Sequence, residues 1–167
     1  MADDVPHVTA PDGRRWRADS PGLGTALSRA AGQELSVRTE GDVPHHDDAP
    51  VHVITTAALT SLGARLGARP DPRRFRANLV VDLDRHDGTP GAWPEDDWLG
   101  RTLTVGGVVL RLTAPMQRCV MVNSAQPGLP ADARVLRALA DRSLHLGVMA
   151  DVLVPGVVRA GDPVVVA

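Results

Sequence analysis

Cys119 is the only thiol in a chain of 167 residues, and Arg118 precedes it directly. A guanidinium beside a thiol favours the thiolate, the form that attacks, carries sulfur or ligates a soft metal centre. The opposing reading is that of an ordinary free cysteine, which packs as a small hydrophobe. A second group is Arg73-Arg74-Phe75-Arg76-Ala77-Asn78, which leads into Leu79-Val80-Val81. Guanidinium makes paired hydrogen bonds to phosphate, so three arginines and an amide suit an anionic ligand. The same composition also fits a solvated basic turn. A third group, His45-His46-Asp47-Asp48 with His52, has metal-ligand side chains but no zinc spacing, and a surface loop accounts for it more simply. The roles of His45, His46 and His52 stay open at this point. Glu95-Asp96-Asp97 reads as a turn leading to Trp98, no carboxylate pair has catalytic spacing, and no Gly-x-Ser-x-Gly elbow occurs.

The composition narrows the chemistry further. All 18 basic residues are arginine, so no lysine is present to bind pyridoxal phosphate covalently or to complete a Walker-type phosphate loop. A single cysteine excludes an intrachain disulfide and any multi-cysteine zinc or iron–sulfur site. A net charge of −2 and four aromatic residues (Trp16, Phe75, Trp93, Trp98) argue against nucleic-acid binding. No apolar run approaches the roughly 18–20 residues of a membrane span. The start, Met-Ala-Asp-Asp, has neither the basic nor the apolar region of a signal peptide, so a soluble cytoplasmic protein is expected.

Glycine (16) and proline (14) punctuate the whole length, and the elements between them are short. A strand at 4–9 is followed by a turn at Pro11-Asp12-Gly13. Ser20-Pro21 then starts a helix whose apolar positions are Leu23, Leu27 and Ala30 and which stops at Gly32. Leu35 and Val37 alternate as a strand. Val51 to Ile54 reads as a strand, and Thr55 or Thr56 caps a helix presenting Leu59, Leu62 and Leu66. The unbroken apolar run Leu79–Val81 predicts a strand buried on both faces. A loop follows from Asp84 to Pro94, then a hairpin at 103–112 around Gly106-Gly107. Cys119 to Val122 is read as a strand. A third helix spans about 132–142, with Asp132 as its cap and His145 placed to act as a cation at its end. The tail from Val148 to Val166 reads as short strands broken at Pro155-Gly156 and Gly161-Asp162-Pro163. Many short strands and few helices favour a mainly β, α+β fold whose sheet closes as a barrel or sandwich.

Taken in order, these segments resemble the MOSC domain, named for the C-terminal domain of molybdenum cofactor sulfurases. The matching pieces are Asp48-Ala49-Pro50-Val51-His52 with Thr55 and Leu59, Arg74-Phe75-Arg76-Ala77-Asn78-Leu79-Val80-Val81, and Glu95-Asp96-Asp97-Trp98-Leu99-Gly100. Val105-Gly106-Gly107-Val108, Arg118-Cys119, and Pro155-Gly156 with Val158–Val164 complete the series. The resemblance covers 45–167 well and 5–44 loosely. It implies a closed MOSC-type β-barrel over 45–167, with 1–44 as a lead-in of strands and one helix left from a β-rich N-terminal region.

The resemblance also implies function. In relatives such as the mitochondrial amidoxime-reducing component, the cysteine that matches Cys119 ligates molybdenum. Carried over, Cys119 with Arg118 forms the reactive site, while Arg74, Arg76 and Asn78 hold the pterin and phosphate of a molybdenum cofactor. Asp48, Ala49 and Thr55 approach the same group. Two departures stand out: Met116 occupies the place of a second cysteine found in many relatives, and Val122-Asn123 stands near their Thr-Thr pair. The expected function is therefore cofactor binding, with possible partners an electron-transfer protein or, for a sulfur carrier loaded on Cys119, a separate pyridoxal-phosphate-dependent cysteine desulfurase. A non-catalytic interaction domain is the third reading. Composition and resemblance leave the oligomeric state open.

Overall fold

Strand β3 (Val51–Thr55) is the segment around which the larger part of the chain is organised. In the computed structural model, which describes residues 5–10, 12–42, 48–83 and 92–167, the chain falls into two compact units, 1–45 and 46–167. His45, His46, Asp47 and most of the 84–94 loop lie outside the described residues.

The first unit pairs β1 (His7–Thr9) antiparallel with β2 (Arg15–Arg17) and continues into helix α1 (Leu23–Ala31). The helix begins at Leu23 behind Gly22, with no side-chain cap from Ser20, and ends at Gly32 as expected. The strand expected at Leu35 and Val37 is not formed. Its backbone is claimed instead by α1: the Leu35 N–H donates to Ser28 Oγ at 2.8 Å, whose own proton goes to Gly24 O at 2.8 Å.

In the second unit, β3 runs into helix α2 (Thr56–Leu66) and then a 3₁₀ turn at Pro72–Phe75. Next come β4 (Leu79–Val81), a 3₁₀ turn at Pro94–Trp98, β5 (Thr102–Val105) and β6 (Val108–Gln117). After a 3₁₀ turn at Val120–Asn123 follow α3 (Arg134–Arg137), β7 (His145–Val154) and β8 (Val164–Val166). The sheet order is β4-β3-β7-β6-β5-β8, with β3 and β4 parallel and every other pair antiparallel. This mostly-sheet architecture is curled nearly closed into a barrel; β4 and β8 remain its two edges, facing each other across a cavity of about 700 Å³.

Side-chain alternation divides the core between the two faces of β3. Val53 joins Leu103, Leu110, Leu112, Val148 and Ala150 inside the barrel. Ile54 joins Leu59, Leu62, Phe75, Val122, Val135, Leu139 and Leu146 outside it, under α2. Being covered on both sides is thus the property of β3. The apolar run predicts it for Leu79–Val81, but β4 is an edge strand whose middle residue, Val80, is 45 % exposed.

Three further expectations are corrected. Cys119–Val122 is no strand, because β6 stops at Gln117 and the chain turns into the 3₁₀ segment. The 132–142 helix breaks into the four-residue α3 and a 3₁₀ turn at Ala140–Arg142. His145 opens the ten-residue β7 and does not end a helix. The Gly106-Gly107 hairpin forms as expected, pairing Val105 with Val108 around Gly106 at φ 54°. Among the described residues no helix is long and apolar enough to cross a membrane.

Phe75 is fully buried in the outer core. Phe75→Ala should therefore lower the unfolding free energy by about 4 kcal/mol, read as a lower urea midpoint.

Candidate functional site

Cys119 is exposed, which removes the buried-hydrophobe reading of its thiol. Its position is fixed by the residues on either side. Arg118, at the end of β6, donates its backbone N–H to Leu144 O at 2.8 Å and turns its guanidinium inward. There Nη2 donates to the Phe75 carbonyl at 2.7 Å and Nη1 faces His52 Nδ1 at 3.4 Å. Arg118 Nε is buried without a partner among the described residues. Burial pushes the guanidinium down from its ordinary proton affinity, and Cys119 beside it pulls the other way.

The segment after Cys119 is held by Arg74. This buried guanidinium donates to three carbonyls: Nη1 to Val122 at 3.1 Å and Ser124 at 3.2 Å, Nη2 to Pro130 at 2.7 Å. Gln126 Nε2 returns a bond to Arg74 O at 3.1 Å. Claiming the Val122 carbonyl from the side competes with a sheet ladder there, which is why an apolar stretch of β propensity forms a turn. The resemblance implies a phosphate-cradle role for Arg74; in the structure its guanidinium donates to three backbone carbonyls that follow Cys119.

The other arginines of that cluster separate cleanly. Arg73 is exposed and ion-paired to Asp71 at 2.7 Å, whose carboxyl it holds below the usual range. Arg76 is exposed at φ 53° on the left-handed turn that ends the 3₁₀ segment, and it has no side-chain partner among the described residues. Asn78 is docked to β3: its Oδ1 accepts the His52 N–H at 2.8 Å and its own N–H donates to His52 O at 2.9 Å. The Asn78 side-chain nitrogen has no hydrogen bond among the described residues, and Asn78 lines the cavity between β4 and β8, which Cys119 does not.

Thr55 also departs from the expected cradle. It is fully buried, accepts the Ala58 N–H at 3.0 Å as the cap of α2, and donates to Glu95 Oε2 at 2.6 Å. Asp48 is exposed and Ala49 half-buried on the approach to β3, and Asp48 has no side-chain hydrogen bond among the described residues.

Two residues were underrated by sequence. Glu95, which the sequence presents as part of a polar turn, is fully buried, with Oε1 unpartnered among the described residues. Burial pushes its carboxyl up, against the Thr55 hydrogen bond. Its signal was faint: an acidic residue two positions after Trp93 in a turn gives no hint of direction. His52 was grouped with a metal-like cluster, but its alternation within Val51–Thr55 marks it as a strand residue. Nε2 bonds to Leu146 O at 3.1 Å, and burial followed by the charge of Arg118 lowers its pKa to about 4.

The assembled site is an exposed thiol on a clamped turn, backed by one internal guanidinium, with an outward guanidinium and amide on the neighbouring 76–78 segment. The sequence model of the MOSC domain matches residues 40–165. The chain belongs to the MOSC family. This MOSC chain also matches a solved structure described as YiiM from Geobacillus stearothermophilus, at 20 % identity and a TM-score of 0.51. The match covers 72 % of this chain and 55 % of that one, so the chain spans little more than half of the solved protein's length, and the likeness is one of fold. No curated protein sequence matches the chain significantly.

The neutral imidazole of His52 generates a pH prediction. As pH falls below about 6.5 the unfolded chain protonates His52, whereas the folded chain resists until about pH 4. Stability should therefore fall across that window by up to about 3 kcal/mol. Comparing chemical unfolding of wild type and His52→Gln at pH 7 and pH 4.5 cancels the opposing contribution of Glu95. The loss on acidification should be smaller in the variant.

Proposed function

We propose that this MOSC domain binds a molybdenum cofactor, with the Cys119 thiolate as the protein's ligand to the metal and Arg76 with Asn78 as anchors for the pterin phosphate. The observation that carries this reading is the contrast within one locus. Arg118 and Arg74 are engaged by backbone carbonyls, while Cys119 and Arg76 stand exposed. A soft sulfur donor and an unpaired guanidinium match the two ends of such a ligand. Among the described residues no group of three or more His, Cys, Asp or Glu side chains is placed to hold an ion, so a metal on Cys119 brings its other ligands with the cofactor. When bound, the group supplies a redox-active metal centre. Asn78, fixed to β3 through its Oδ1, contributes orientation, and Arg76 contributes charge. An electron-transfer protein is the partner this chemistry requires.

Protein isolated from a molybdenum-replete host should carry molybdenum and yield a fluorescent pterin on oxidation. Cys119→Ser should reduce the metal content and Arg76→Ala the pterin content, each at least several-fold. Metal-free wild-type protein that also fails to take up added cofactor contradicts the reading.

Exposure of Cys119 next to Val120 (64 % exposed) and Met121 (57 %) favours a second reading, because a partner enzyme has open access to the thiol. In this scheme a cysteine desulfurase transfers sulfur to Cys119, and the chain, having no lysine, depends on that separate enzyme for the pyridoxal phosphate. With no second cysteine to form a disulfide, an external acceptor must attack the persulfide and break its S–S bond. Incubation with desulfurase and cysteine should add the mass of one sulfur atom at Cys119. An unchanged mass excludes the carrier role.

A further inference from the structure

His52 is the buried polar side chain that the proposed cofactor site leaves without a task. It lies in the middle of β3 at 5 % exposure. Only a protonated nitrogen can bond to the Leu146 carbonyl, so the 3.1 Å contact fixes the proton on Nε2 and leaves the lone pair on Nδ1. That lone pair faces Arg118 Nη1 at 3.4 Å.

Two independent features indicate that this contact is built into the fold. A Cβ at Gly147 would stand 2.6 Å from His52 Nε2 and would collide with Val53 O, and the backbone there has φ 79°. β7 can therefore carry the Leu146 carbonyl to the imidazole only with glycine in the next position. The second feature is the poverty of acceptors around Arg118. Among the described residues its Nε has no partner and its short side-chain bond is to Phe75 O, so His52 Nδ1 is the second described group that fixes the rotation of the guanidinium. The low pKa of the ring keeps it neutral at physiological pH, and Arg118 is the charged group acting on it.

We infer that His52 is a positioning residue of the Cys119 site: through its Nδ1 lone pair it holds the Arg118 guanidinium against the Phe75 carbonyl, so that the cation behind Cys119 has one fixed place. The inference rests on Cys119 being the reactive group and is indifferent to whether that group holds a metal or a sulfur atom. A fixed cation acts on charge: it raises the encounter of Cys119 with anionic groups and leaves neutral ones unaffected.

The sole cysteine makes this measurable in the intact 167-residue chain without cofactor. Alkylation of Cys119 by iodoacetate and by iodoacetamide is followed at one pH, and the ratio of the two rates is the readout. Simple loosening of the turn changes both rates together, whereas displacement of the cation lowers the ratio. His52→Leu and Arg118→Gln should each lower it roughly three- to tenfold, and the double variant should be no lower than Arg118→Gln alone. His52→Gln, which keeps an acceptor and a donor, should retain most of the ratio. An unchanged ratio in either His52→Leu or Arg118→Gln overturns the inference. Nitrogen NMR of the wild-type histidines tests it even if His52→Leu does not fold: the Nε2–H tautomer at pH 7 supports it, and an Nδ1–H or charged ring overturns it. A chain that shows the expected ratios yet takes up no molybdenum refutes the cofactor reading and leaves this inference standing.

Discussion

Strand β3 is covered on both faces, and its interior polar side chains must therefore find partners within the protein. His52 and Thr55 are those side chains. Leaving a buried donor or acceptor unmade costs on the order of 1–3 kcal/mol, so each recruits other elements. His52 draws in the Leu146 carbonyl of β7 and the Arg118 guanidinium at the end of β6. Thr55 caps α2 and takes up Glu95 from the 3₁₀ turn at Pro94–Trp98. The backbone of His52 is matched in both directions by Asn78. Nearly every part of the candidate site is tied to one strand by this requirement.

Arginine without lysine takes on a structural meaning here. A guanidinium offers five donors in a rigid fork, so it can satisfy several carbonyls at once, which a single ammonium does less well. Arg74 does this for Val122, Ser124 and Pro130, and Arg118 uses its fork to join the Phe75 carbonyl to the His52 ring. Both stitch irregular segments that no sheet ladder supports. Arg76, whose backbone is left-handed, stands exposed instead.

Much of this was legible from residue order. The hairpin at Gly106-Gly107, the α2 cap at Thr55 and the Gly32 stop follow from local turn and capping chemistry, and all appear as read. The order of short motifs also carried the MOSC resemblance. The errors share a cause: each concerned which neighbour a segment meets. The run Leu79–Val81 is equally apolar at a sheet edge or in its centre, and only the sheet order reveals Val80 as outward. Leu35 and Val37 alternate like a strand, but among the described residues no strand pairs with them, and the Leu35 N–H turns to Ser28 Oγ instead.

The sequence by itself determined the available chemistry: one thiol, cationic groups that are all guanidinium, no lysine, and a set of motifs belonging to a β-rich family. Residue types and short-range spacing suffice for that, since they depend on no contact between distant parts of the chain. Only the tertiary structure decided how the arginines and the histidine are employed. Arg74, Arg76 and Arg118 are chemically identical, and their roles differ because one meets the carbonyls of residues 122–130, one meets solvent, and one meets Phe75 and His52. Those partners lie 43–66 positions from Arg118 along the chain, a separation at which local pattern carries no information about contact.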